Sequence, residues 1–343
     1  MFDCVEGQEV TNKLLLPIIL LLAACGPAAS TPTASPTPPA TTSTAAATQT
    51  PTATPAPTAT PSVRPSGTPI ALPTTTQLAA AGSGVVWAFV NGDHLFRSAD
   101  KGDTWTERTL PQGISPNART AFVNANDGWL VTSGTSATQC SGQAVTLWRT
   151  ADGAGTWSKV DASGIDAAQC KDSIAFVDAQ RGYIGAWDPN TQPRIYRTAD
   201  GGKTWSGSTL PNPPAERPAT FADFTSVVLT SAENNSGPSR WYSFRSTDRG
   251  ATWTGASAGP VEFAAIVFIS ATRWLQIGPT QSQETTDGGA SWHDFTTDYQ
   301  QAAPVSPQIV FGDASTGYAT VRGSIQRTTD GGAHWTAIKT PGT

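Results

Sequence analysis

The chain has 343 residues, with 21 Lys+Arg against 26 Asp+Glu for a formal net charge of −5. That acidic balance carries no basic stripe for nucleic acid. Only 14% of residues are charged and 38% are hydrophobic, so the chain holds enough apolar material for a core.

Residues 14–24, "LLLPIILLLAA", form the first element. A bilayer span needs about 20 apolar residues, and this run is shorter. It has the length of a secretory h-region, with Lys13 as the preceding positive charge. It ends in Leu22-Ala23-Ala24-Cys25, which resembles the lipobox of bacterial lipoprotein signals. The resemblance implies cleavage before Cys25 and a diacylglycerol on its thiol. The acidic start, "MFDCVEGQE", fits a signal badly, so translation from Val10 is expected.

Residues 26–76 are built mostly from Thr, Pro, Ala and Ser, with Arg64 as the one charge. Such a tract has too little apolar side chain to offset its ordering entropy. With Cys25 it is expected to form an extended spacer, 25–76, between the membrane and a folded domain at 77–343. Setting aside Lys13, Arg64, Asp3, Glu6 and Glu9, that domain keeps 19 basic and 23 acidic residues.

Within 77–343 a nonapeptide recurs six times: "RSADKGDTW" (97–105), "RTADGAGTW" (149–157), "RTADGGKTW" (197–205), "RSTDRGATW" (245–253), "ETTDGGASW" (284–292) and "RTTDGGAHW" (327–335). The aspartates are Asp100, Asp152, Asp200, Asp248, Asp287 and Asp330. The tryptophans are Trp105, Trp157, Trp205, Trp253, Trp292 and Trp335. An Asp side chain followed by glycine reads as a hairpin turn, the carboxylate accepting backbone N–H groups. The tryptophan opens the next strand. Ala154 stands where the other copies have glycine, so that turn is expected to be distorted. A second element, "FVNANDGW" (122–129), "FVDAQRGY" (176–183) and "FGDASTGY" (311–318), reads as strand, turn and strand.

The nonapeptide resembles the Asp-box, or BNR repeat, of bacterial sialidases, sortilin-type receptors and propeller-type photosystem II assembly factors. The pairing with the second element resembles the assembly factors most, and it covers most of 77–343. The resemblance implies a β-propeller in which the boxes lie away from any active site. The assembly factors bind a membrane-protein precursor through a basic patch, of which this acidic chain gives no sign.

Successive box tryptophans are 52, 48, 48, 39 and 43 residues apart, close to the ~40–50 residues of a four-stranded blade. A lone four-stranded sheet exposes both faces, whereas sheets stacked around an axis cover them. The fold expected is all-β: six four-stranded blades, with seven as the alternative. In the third unit the strands are expected near 173–178, 183–187, 194–199 and 204–209.

Four cysteines are present. With Cys4 in the discarded leader and Cys25 lipidated, Cys140 and Cys170 remain in an exported domain, where a disulfide is the expectation. Cys140 is placed in the second-to-third-strand loop of the second blade and Cys170 between blades.

Six equivalent aspartates point to turns, not to catalysis, and no catalytic residues are assigned. The sialidase Arg-Ile-Pro motif is absent, and no triad assembles from the tyrosines and glutamates. His94, His293 and His334 lack metal-ligand spacing, and neither metal nor cofactor is expected. A monomeric, lipid-anchored binding module of the bacterial cell envelope, catalysing nothing, is the reading, with an unknown protein or glycan as partner. A sialidase-like glycoside hydrolase is the alternative. Loops 133–146, 162–172, 211–220, 232–240 and 298–307 are expected on the binding face, with Arg217, Arg240 and Trp241 as candidate contacts.

Overall fold

The computed structural model describes residues 76–341 apart from 83, 116, 135–139, 189–190, 212–215, 225–226, 235–239, 261–264, 279, 300–307 and 322–323. The chain divides into units Met1–Ala56 and Pro57–Thr343, and every described residue belongs to the second. The leader, Val10, Cys25 and all but the last residue of the 25–76 spacer lie outside the described residues.

Among the described residues, twenty-four strands form six four-stranded antiparallel sheets. Blade 1 is β1 (Thr76–Ala81), β2 (Val85–Val90), β3 (His94–Ser98) and β4 (Thr106–Arg108). Blade 2 is β5 (Arg119–Phe122), β6 (Gly128–Thr132), β7 (Thr146–Thr150) and β8 (Ser158–Val160). Blade 3 is β9 (Cys170–Phe176), β10 (Gly182–Asp188), β11 (Thr191–Thr198) and β12 (Ser206–Thr209), within a few residues of expectation. Blade 4 is β13 (Glu216–Phe224), β14 (Val227–Asn234), β15 (Arg240–Ser246) and β16 (Thr254–Pro260). Blade 5 is β17 (Ala265–Phe268), β18 (Trp274–Ile277), β19 (Ser282–Thr285) and β20 (His293–Asp294). Blade 6 is β21 (Ile309–Phe311), β22 (Gly317–Val321), β23 (Ser324–Thr328) and β24 (Thr336–Ile338).

Each blade is contiguous in sequence, and the first strands β1, β5, β9, β13, β17 and β21 meet one another around the axis. The protein is therefore a six-bladed β-propeller. Strand composition follows position in the blade. The second strand "VVWAFV" of blade 1 is apolar on both faces, because a neighbouring blade covers each. The rim strand "SKV" of blade 2 is exposed at two of its three residues.

The core is six separate clusters, one in each gap between blades. Every box tryptophan lies in the gap toward the blade before its own: Trp157 in the cluster with Trp87, Phe89 and Leu95 of blade 1, Trp205 in that with Trp129 and Leu147 of blade 2. Its indole N–H reaches the same way in Trp105 (Lys339 O, 2.7 Å), Trp157 (Thr109 O, 2.8 Å), Trp253 (Ser208 Oγ, 3.0 Å) and Trp292 (Ser257 Oγ, 3.2 Å). At roughly 150–250 Å² per aromatic and about 25 cal/mol/Å², full burial of one ring contributes several kcal/mol. The second strands of blades 1, 2, 3 and 6 send an aromatic the opposite way, Trp87, Trp129, Tyr183 and Tyr318. Trp129 is fully buried, stacks on Phe176 at 3.7 Å between centroids, and donates to Gly201 O at 3.2 Å.

The ring closes without strand exchange. Leu78 N–H donates to Gln308 Oε1 at 2.6 Å, and Gln308 Nε2 donates back to Leu78 O at 3.3 Å. Tyr318 and Ile325 of blade 6 pack with Leu78, Val86 and Phe96 of blade 1.

The expected distortion at Ala154 is absent. Its φ is positive at 62°, in the left-handed region, as φ is positive (81–101°) for the glycines at the same place in the other boxes. Thr150, Asp152 and Thr156 make the bonds that Thr198, Asp200 and Thr204 make. The left-handed backbone costs an alanine about 1–2 kcal/mol, and the bonds of the turn outweigh it. The residue before is left-handed too, including Lys101 (63°) and Arg249 (58°).

Candidate functional site

The turns between third and fourth strands carry the six boxes at one end of the strands. In each, the hydroxyl two residues before the aspartate accepts the N–H four residues on, at 2.7–3.0 Å. The same hydroxyl donates to Asp Oδ1 at 2.7–2.9 Å. Oδ1 also accepts a backbone N–H at 2.8–3.0 Å. Oδ2 accepts the hydroxyl of Thr104, Thr156, Thr204, Thr252 or Ser291. In the sixth box His334 Nδ1 takes that place, 2.6 Å from Asp330 Oδ2.

These bonds favour the charged carboxylate. Asp100 and Asp248 are held down to about 2 by the hydroxyls of Thr104 and Thr252 first. Asp152 and Asp330 reach about 2 chiefly through the N–H groups of Thr156 and His334. At Asp200 partial desolvation opposes, yet the Thr204 bonds bring it to about 2. Asp287 is lowered by the Ser291 hydroxyl and N–H. A permanently ionised carboxylate engaged on both oxygens is a poor proton donor or nucleophile.

Three of the arginines that open boxes, Arg97, Arg245 and Arg327, have a role that the sequence did not disclose: each donates to the next blade. Arg97 Nη1 donates to Ala125 O at 2.9 Å, and Arg327 Nη1 donates to Lys101 O at 2.8 Å across the closure. Arg327 also pairs with Asp103 at 2.8 Å. In the fifth box Glu284 replaces the arginine. Its Oε1 holds Arg273 Nε at 2.6 Å, and Arg273 donates to Ala314 O (3.1 Å) and Gly331 O (3.0 Å) of blade 6.

At the other end of the strands Cys140 and Cys170 are disulfide-bonded. Cys140 lies between β6 and β7 as expected, but Cys170 is the first residue of β9, so the bridge ties blade 2 to the inner strand of blade 3. Beside it Lys171 is buried and donates to the carbonyls of Asp166 and Gln169. Burial lowers its ammonium to about 8, against the pull of Asp166.

The candidate contact residues separate. Arg217 stands in β13 and Arg240 opens β15, so 216–220, 232–234 and 240 are strand rather than loop. Arg240 is exposed. Trp241 is 4% exposed and meets Trp292 edge-on at 5.6 Å. It belongs to the gap between blades 4 and 5 and offers no partner surface. Of the expected loop 162–172, residues 170–172 are likewise strand, in β9, whereas 135–139, 212–215, 235–239 and 300–307 lie outside the described residues. Among the described residues no three His, Cys, Asp or Glu side chains group to hold a metal ion.

A groove of about 700 Å³ opens at the rim between blades 2 and 3. Arg149, Asp152, Thr156, Lys159, Asp161 and Lys203 line it.

No family model matches the chain. A xyloglucanase of Paenibacillus sp is 30% identical over 143 residues, 34% of this chain and 13% of that protein. The chain thus spans about an eighth of that relative's length. Among solved structures, a Hadza microbial sialidase shares 17% identity at a TM-score of 0.53, over 77% of this chain and 65% of its own. An α-L-arabinofuranosidase from Fusarium graminearum shares 11% at 0.50, over 74% and 87%. YCF48 bound to a D1 peptide shares 16% at 0.47, over 78% and 82%. The similarity to the first two structures is one of fold.

Proposed function

We propose that this chain is a lipid-anchored, extracytoplasmic propeller that binds a protein or glycan partner and catalyses nothing. The observation carrying the reading is the engagement of all six box carboxylates in their own turns. The repeated acids serve architecture. Catalysis would then need a different constellation, built once. The disulfide supports a rigid binding face, since it pins the β6–β7 loop to β9. Cys25 carries the lipid in this reading, and the Thr/Pro/Ala tract sets the propeller away from the membrane. Labelled palmitate should enter the wild-type chain in a bacterial host and not Cys25→Ser. In-cell cross-linking should capture a discrete partner from the envelope.

The match to a xyloglucanase favours one competing reading, a glycoside hydrolase on the same fold. The backbones of Glu216 and Glu233 stand opposite each other at one end of β13 and β14. Turnover of a fluorogenic glycoside panel, abolished by Glu216→Gln or Glu233→Gln, would establish it and end the binding-only reading.

A further inference from the structure

We infer that the groove between blades 2 and 3 binds an acidic peptide segment in extended form. The inference adds a second surface to the partner-binding reading. It starts from a departure in the repeat. Positions equivalent to Lys203 in the other boxes hold Asp103, Gly155, Ala251, Ala290 and Ala333. Positions equivalent to Lys159 hold Glu107, Gly207, Gly255, Asp294 and Ala337. Each position carries a lysine once in six copies. Those two lysines come from different blades, yet they line one groove, with Arg149 also in its wall.

The repeat is architectural, so a lysine that no other copy needs is not required by the turn. Both lysines are exposed. Arg149 is paired with Asp127 at 3.5 Å and Asp152 is engaged by Thr150, Gly155 and Thr156, which leaves the two lysines as the cations that face the groove. Asp161 is the remaining carboxylate. The corresponding groove between blades 1 and 2 is crossed by Arg108, whose Nε donates to Gly153 O at 2.7 Å. Val160 occupies the position of Arg108 here.

The walls are held in place. After β8 the chain crosses to blade 3, where Ser163 N donates to Lys203 O and Trp205 N donates to Ser163 O, each at 2.9 Å. Gly164 permits this crossing: its φ is 87°, and a Cβ there would stand 2.2 Å from Trp205 O. The strand beside the groove, β8, pairs with β7 on one side and forms the edge of its sheet on the other. An edge strand offers backbone N–H and C=O groups to an extended peptide, as in β-strand addition. No aromatic ring lines the groove, which disfavours a sugar face. Charge and edge together fit Asp/Glu-rich peptide.

The test uses the full chain and a fluorescein-labelled oligoglutamate peptide, with oligolysine and polygalacturonate alongside. Binding of oligoglutamate, weakened at least tenfold by Lys159→Ala/Lys203→Ala and unchanged within twofold by Lys101→Ala, is the expected result. Absence of oligoglutamate binding, or binding that the double variant retains, would overturn the site. Polygalacturonate binding equally well would overturn the peptide assignment. A partner cross-linked equally by wild type and double variant would leave the partner-binding reading standing while this one fell.

Discussion

Glu284 and Arg273 form a compensated pair: where the fifth box lacks its arginine, a glutamate holds one 2.6 Å away. That arginine makes the same kind of bond to the next blade that Arg97 and Arg327 make directly. The blades are thus joined by a guanidinium on the box side as well as by indoles in the gaps.

Removing the carboxylate leaves Arg273 without its orienting partner at 27% side-chain exposure. Hydrogen bonds to charged groups contribute about 1.5–3 kcal/mol, and partial exposure reduces this. Glu284→Ala is expected to lower unfolding stability by about 1 kcal/mol. The double variant Glu284→Arg/Arg273→Ser, which restores the common box, should lie closer to wild type than the single variants, as measured by urea unfolding.

Acid should loosen the boxes late. Each box aspartate has a folded pKa below its unfolded value, so its contribution is present above about pH 4. It is lost as pH falls through about 2. Five of the six groups titrate over the same window, and Asp287 is also lowered. Thermal unfolding followed from pH 6 to pH 2 should show Tm falling steeply below pH 4. In Asp200→Ala the fall should be shallower, from a lower starting Tm.

The bridge between Cys140 and Cys170 spans 30 residues. Constraining a loop of that length in the unfolded chain contributes about 2–4 kcal/mol in the chain-entropy account. Cys140→Ser/Cys170→Ser should lose stability on that order, and reductant should then have no further effect on the variant.

Much of this was legible because the repeat is local. The nonapeptide, its spacing and the second recurring element pointed to six blades, with seven left as the alternative. Ala154 misled because propensity disfavours a left-handed alanine, while the hydroxyl and carboxylate bonds around it outweigh that preference. Trp241 looked like a surface anchor because it follows a polar loop. Its partner Trp292 is on another blade, and no local pattern reports such a contact. The role of the box arginines stayed hidden for the same reason: their bonds cross from one blade to the next. The Lys159–Lys203 groove is visible in sequence only when the six copies are aligned and their exceptions compared.

The measurement that bears most directly on the account is urea unfolding of Trp205→Ala. Trp205 is 5% exposed and sits in the cluster joining blades 2 and 3. Truncating a buried tryptophan to alanine costs about 3–5 kcal/mol, and a loss of that size is predicted. A variant within about 1 kcal/mol of wild type would contradict the claim that box tryptophans hold the blades together.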